Sequence, residues 1–129
     1  MDISTRRFAD TVVLGAAGRV DHRSAGELET ALAAAAPGSG AVLLDFSGVE
    51  YISSVGLRVL MVAAREHRAR QTGFAIAGLQ PVVAEIFAIS RFDKVLPVHA
   101  DVAAALAQLS AAALAAWKAE GSAPPAPGP

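Results

Sequence analysis

Two adjacent serines, Ser53 and Ser54, stand just ahead of VGLRVLMVAAREHRAR (55–70), whose apolar residues recur at helical spacing. A hydroxyl where a helix begins has three uses. It accepts a hydrogen bond from an unpaired backbone N–H of the first turn. It attacks as a nucleophile when a base takes its proton. It also receives a phosphoryl group, whose charge of about −1.5 to −2 suits the positive end of the helix dipole. The nucleophilic use needs a setting such as G-x-S-x-G with a positioned base. Ile52-Ser53-Ser54-Val55-Gly56 does not provide it. Capping and phosphoryl acceptance remain.

The helix that follows carries two stripes. Leu57, Leu60 and Ala64 form a core-facing one. Ser54, Arg58, Met61 or Val62, and Arg65 form a second, which mixes hydroxyl, guanidinium and apolar groups. Arg and Met are enriched at protein interfaces and Lys and Glu depleted, so this stripe reads as a partner surface. The alternative is that Met61 and Val62 pack under a neighbouring helix.

Other chemistry is poorly represented. His22, His67 and His99 form no i, i+4 pair, and solvated histidine is the expectation for each, so no metal site is implied. Cysteine is absent, which removes disulfides, thiolate ligands and a cysteine nucleophile, and fits a reducing compartment. Asp45 ends an apolar run as the phosphoacceptor of a receiver domain does. The acidic pair such domains need is missing after TVVLGAAGRV, and Asp45 is expected to bond loop N–H groups. PGSG (37–40) lacks the Gly-Lys-Ser/Thr of a phosphate loop. Arg65, Arg68 and Arg70 with His67 make one basic turn, expected to be a solvated face. A formal net charge of −1 gives no global field for nucleic acid. Neither a secretory signal nor an apolar run of about 18 residues is visible, so a soluble cytoplasmic domain without a membrane span is expected.

The 129 residues fit one domain, large enough to fold without disulfide or metal. Hydrophobic residues reach 53% with aromatics at 5%, which predicts a small-residue core of helices on a sheet. TVVLGAAGRV (11–20) reads as a strand paired with one near 3–8, and Gly15 and Gly18 mark bends or close backbone approach. Ser24 and Glu27 form a capping-box pattern ahead of a helix that Pro37-Gly38 ends. AVLLDF (41–46) reads as a buried central strand, SGVEYI as a loop, and FAIAG as a strand with Phe74 and Ile76 on one face. Pro81 opens a helix to about Ser90. Val95 to Val98 reads as a short last strand. Asp101 caps a final helix with Leu106, Leu109, Leu114 and Trp117 on its apolar side. Residues 1–118 are expected to fold and 119–129, rich in Pro, Ala and Gly, to be a disordered tail. The alternation predicts an α/β domain: a mixed sheet with about four helices packed on it.

YISSVGLRVL (51–60) resembles the central motif of STAS domains, particularly of anti-sigma factor antagonists. The likeness extends to Gly18-Arg19-Val20-Asp21, to VLLDFSGVEYI and to the stretch Gly78–Val98, covering roughly residues 8–115. It implies a single STAS-type domain that is not an enzyme and carries no cofactor. It also implies Ser54 as the residue phosphorylated by a partner anti-sigma factor serine kinase. Asp21, Ser53, Ser54, Arg58, Met61, Val62 and Arg65 are the implied partner surface. The family pattern is typically Asp-Ser-Ser/Thr-Gly-Leu. Here Ser53 takes the Asp position and Val55 the second hydroxyl, while Gly56-Leu57 match. Two functions stay open at this point. One is a phospho-switched antagonist, monomeric when free, with no direct contact to nucleic acid. The other is an unphosphorylated STAS scaffold in a stress-signalling or lipid-transport assembly.

Overall fold

The frame of the sheet is a hairpin with a tight turn at Ala9-Asp10. In the computed structural model, which describes residues 1–35 and 40–120, β1 (Asp2–Phe8) pairs antiparallel with β2 (Thr11–Val20). The remaining strands, β3 (Ala41–Ile52), β4 (Phe74–Ala77) and β5 (Val98–His99), add in parallel. The order is β1-β2-β3-β4-β5, a mixed sheet of five strands.

One face of this sheet packs against α1 (Ala25–Ala35), α2 (Ser54–Ala69) and α3 (Pro81–Ile89). Leu14, Val42, Leu44, Phe46 and Ile76 meet Leu28, Leu60 and Phe87 there. The opposite face carries Phe8, Leu43, Ala75 and Ala77 under Ala105, Leu106 and Ala113 from α4 (Val102–Leu109) and α5 (Ala111–Ala119). Burial on both faces explains why AVLLDF and FAIA read as continuous apolar runs rather than alternating ones.

Four expectations are corrected. SGVEYI is not a loop but the second half of β3, where Gly48, Val49, Tyr51 and Ile52 pair with the end of β2. Its polar residues sit on a half-exposed stretch, and two register shifts give β3 an extra residue each time. These shifts lie beside Gly15 and Gly18, the glycines that signal bends in the sequence, and Gly18 has φ 104°.

The Ser24–Glu27 capping box does not form. Ser24 is buried, its Oγ donates to Arg19 O at 2.7 Å and accepts from Asp21 N at 3.0 Å. Asp21 Oδ1 takes the N–H groups of Arg23 and Ser24 instead.

The final helix is two helices. Ser110, at φ −165° and ψ 115°, ends α4 and caps α5 by accepting from Ala113 N at 3.1 Å. Its hydroxyl donates to Asp10 Oδ1 at 2.6 Å, and an Arg6–Glu120 ion pair ties the end of α5 to β1. Five helices therefore stand among the described residues where about four are expected. Val95–Val98 contributes only Val98 to a strand, after a 3-10 turn at Phe92–Lys94. The expected helix stop at Pro37-Gly38 and residues 121–129 lie outside the described residues. No described helix is long and apolar enough to cross a membrane.

Candidate functional site

The strands β2 and β3 end together, with Val20 opposite Ile52, and Ser53 N donates to Val20 O at 2.8 Å. This bond holds Ser53 extended, at φ −87° and ψ 172°, while its Oγ accepts from Gly56 N at 3.2 Å. Ser53 is thus the N-cap of α2. Ser54 is the first helical residue. It is exposed, and its hydroxyl has no hydrogen-bond partner among the described residues. The two uses open to the serine pair therefore fall on different residues: capping on Ser53, an unengaged hydroxyl on Ser54.

Gly56 explains how close this helix start comes to the sheet. A Cβ there would lie 2.7 Å from Val20 Cγ1 and 2.8 Å from Ile52 Cγ1. Only a residue without one lets α2 begin directly on the strand ends. Leu57 and Leu60 then enter the core, as their spacing implies.

The second stripe of α2 divides. Ser54, Arg58 and Arg65 are exposed, while Met61 is half-buried against the core edge. Val62 is 42% exposed and turns toward α1. With Glu29, Leu32, Val59, Glu66 and Arg70 it lines a groove of about 300 Å³ between α1 and α2. Arg68 faces the other way, beside Thr72, Phe74 and Pro97. The basic turn 65–70 is thus no single patch. Arg68 extends the Ser54 stripe by the same three-residue step that separates Arg58 from Met61, a signal present in the spacing.

Asp21 lies at the same edge of the sheet, in the turn before α1. The N–H groups of Ser24 and Arg23 hold its carboxyl below the usual carboxylate range. Asp45 Oδ1 accepts from Ser47 N at 3.0 Å, a bond within β3 where a loop N–H was expected. Arg19 lies 4.5 Å over the Tyr51 ring, a contact that only the β2–β3 register creates.

His67 overturns the expectation of a solvated histidine. It is 2% exposed, stacks on Phe74 and bonds Thr72 Oγ1 through Nδ1 at 2.7 Å. Burial, with help from Arg70 and against Glu66, pushes its imidazole below the ordinary value. Among the described residues no group of acidic, His or Cys side chains is arranged to hold a metal ion.

The family model described as "Mlab, STAS domain" matches residues 3–97, which include every residue of this site. The chain belongs to the STAS domain family. Its sequence is 40% identical over 82 residues to a protein named as an anti-sigma factor antagonist, BtrV of Bordetella bronchiseptica. That alignment takes in 63% of this chain and 71% of BtrV. The STAS fold superposes on the crystal structure of an anti-sigma factor antagonist from Mycobacterium paratuberculosis with a TM-score of 0.76 and 27% identity. The superposition covers 84% of this chain and 92% of the other. The Bacillus cell fate determinant SpoIIAA in its phosphorylated form matches in fold, with a TM-score of 0.62 and 16% identity. That match covers 83% of this chain and 98% of SpoIIAA. The helices α4 and α5 lie beyond the stretch that the STAS family model matches.

Proposed function

We propose that this STAS domain is an anti-sigma factor antagonist. It binds an anti-sigma factor that is also a serine kinase, frees a sigma factor, and lets go when Ser54 is phosphorylated. Such a role is one of binding rather than catalysis, and it belongs in the cytoplasm. The observation that carries it is the exposed, unengaged Ser54 hydroxyl beside a cap already supplied by Ser53.

A dianion at the first helical residue costs the fold little, because the helix dipole favours negative charge there. A partner that covers Ser54 meets the same charge differently. Two like unit charges about 6 Å apart at an effective dielectric near 20 repel by roughly 2–3 kcal/mol. That is about 30- to 150-fold in affinity, enough to release a moderate-affinity partner. Asp21, Ser53, Arg58, Met61, Val62 and Arg65 complete the proposed contact surface.

The test is to incubate the chain with ATP and each kinase-type anti-sigma factor of its own organism, then map phosphate by mass spectrometry. Phosphate is expected on Ser54, and Ser54→Asp is expected to weaken binding while Ser54→Ala retains it. Phosphate found only elsewhere, or tight binding by Ser54→Asp, defeats the reading. The second reading, an unphosphorylated STAS adaptor, draws on Ser53 and Val55 in place of the usual Asp and second hydroxyl. It predicts partner binding that is indifferent to Ser54→Asp.

A further inference from the structure

Ser54, Arg58, Met61, Arg65 and Arg68 follow one another along α2 in steps of four, three, four and three. Residues so spaced share one face, and from Ser54 to Arg68 that face runs about 21 Å at 1.5 Å per residue. All three arginines on it are exposed. Among the described residues none of them makes an ion pair, the one salt bridge being Arg6–Glu120. The only acidic residue of the helix, Glu66, points away into the groove beside Glu29. The stripe thus carries a charge of +3 on a chain whose formal net charge is −1.

Arg68 stands in the last turn of α2, where the helix dipole favours a cation, but Arg58 and Arg65 have no such role. Like charges three residues apart on a helix repel, and a solvated helix face is ordinarily stabilised by alternating signs. We propose that this face of α2 is a docking rail for a protein partner that presents an acidic surface. From the preceding section the proposal takes only that α2 meets a protein. Half-buried Met61 between Arg58 and Arg65 supplies the apolar contact expected at a protein interface and not along a phosphate backbone. The rail also explains why a phosphate on Ser54 is an effective switch. Adding about −1.5 to −2 takes the stripe from +3 to about +1 to +1.5 and sets an anion before an acidic partner.

Two measurements on the full chain test this. In the first, the 15N-labelled protein is titrated at low salt with a 20-residue Glu-rich helical peptide. Amide shifts are expected along 54–68, disappearing in Arg65→Glu/Arg68→Glu and as added salt shortens the screening length to below about 10 Å. A Lys-rich peptide of the same length is expected to leave these amides unmoved. Shifts elsewhere, shifts that survive the double variant, or tighter binding of duplex DNA or phosphatidylglycerol vesicles than of the Glu-rich peptide at the same low salt overturn the proposal. In the second, the kinase that phosphorylates Ser54 is the probe, and the double variant is expected to bind it about tenfold or more weakly, mainly through slower association. Unchanged circular dichroism and urea midpoint verify that the variant is folded. Phosphorylation of Ser54 with unaltered affinity in the double variant sinks the acidic-partner inference alone. Peptide mapping to α2 with no Ser54 kinase found sustains the inference and sinks the proposed function.

Discussion

Replacing Gly56 by Ala adds one methyl where α2 meets the ends of β2 and β3. The new carbon would stand 2.7 Å from Val20 Cγ1, 2.8 Å from Ile52 Cγ1 and 3.3 Å from Ile52 Cδ1. Carbon atoms pack best at about 3.5–4.0 Å. Val20 and Ile52 are 0% and 1% exposed, and their Cγ1 atoms sit one bond from Cβ, so neither can swing clear. The helix must retreat instead, stretching the Ser53–Gly56 cap bond that is already 3.2 Å long. Overpacking of this kind costs about 1–3 kcal/mol, and two close buried contacts argue for the upper half of that range. Ala is favoured over Gly within a helix by about 1 kcal/mol. The net loss is therefore about 1–2 kcal/mol, which lowers the urea midpoint by roughly 1 M for a slope near 1.5 kcal/mol/M. The control is Gly26→Ala in α1, where an added Cβ has nothing within 4 Å. That variant is expected to gain up to about 1 kcal/mol. Equilibrium urea unfolding of both variants separates the effects by sign. A raised midpoint for Gly56→Ala would show that helix propensity, not close packing, governs the start of α2.

Ser53→Ala is expected to cost about 1 kcal/mol through the lost cap, and Ser53→Asp to restore it with a carboxylate at the positive helix end; thermal melts of the pair check this. His67 is held below its ordinary pKa of about 6.5, so the unfolded chain binds the proton more readily. Stability should therefore be fully present above about pH 6.5 and decline as pH falls toward the folded value. Urea unfolding at pH 7.5, 6.5 and 5.5 should show this decline, about the ordinary imidazole value. A decline equally steep in His67→Gln would assign it to other groups. Ser110→Ala removes both the α5 cap and the bond to Asp10, with an expected loss of about 1 kcal/mol or more. Hydrogen exchange should localise the loosening to α5, and uniform exchange across the domain would count against a local role.

Local chemistry made much of this protein legible. Apolar runs with β-branched residues marked β2, β3 and β4, and helical spacing placed Leu57 and Leu60 inward. Pro81 and Asp101 announced the starts of α3 and α4, and the motif around Ser54 was readable as a helix start. What misled were residues whose partners lie far away in sequence. SGVEYI looks like a loop because Ser47, Gly48 and Glu50 are polar, yet β2 supplies the ladder that makes it strand. Ser24 looks like a cap, yet Arg19 O and Asp21 N claim its hydroxyl.

The amino-acid order alone determined the α/β alternation and the presence of a hydroxyl at the head of α2, because these rest on short-range spacing. The family was legible as a resemblance, which the family model over residues 3–97 shows. Tertiary structure decided which serine caps and which stays unengaged, since that depends on Val20 O reaching Ser53 N. It decided also that His67 is buried and that the last helix breaks at Ser110, where Asp10, a hundred residues earlier, accepts the hydroxyl's hydrogen bond. Spacing along a chain fixes which side chains share a face. Only packing fixes what that face meets.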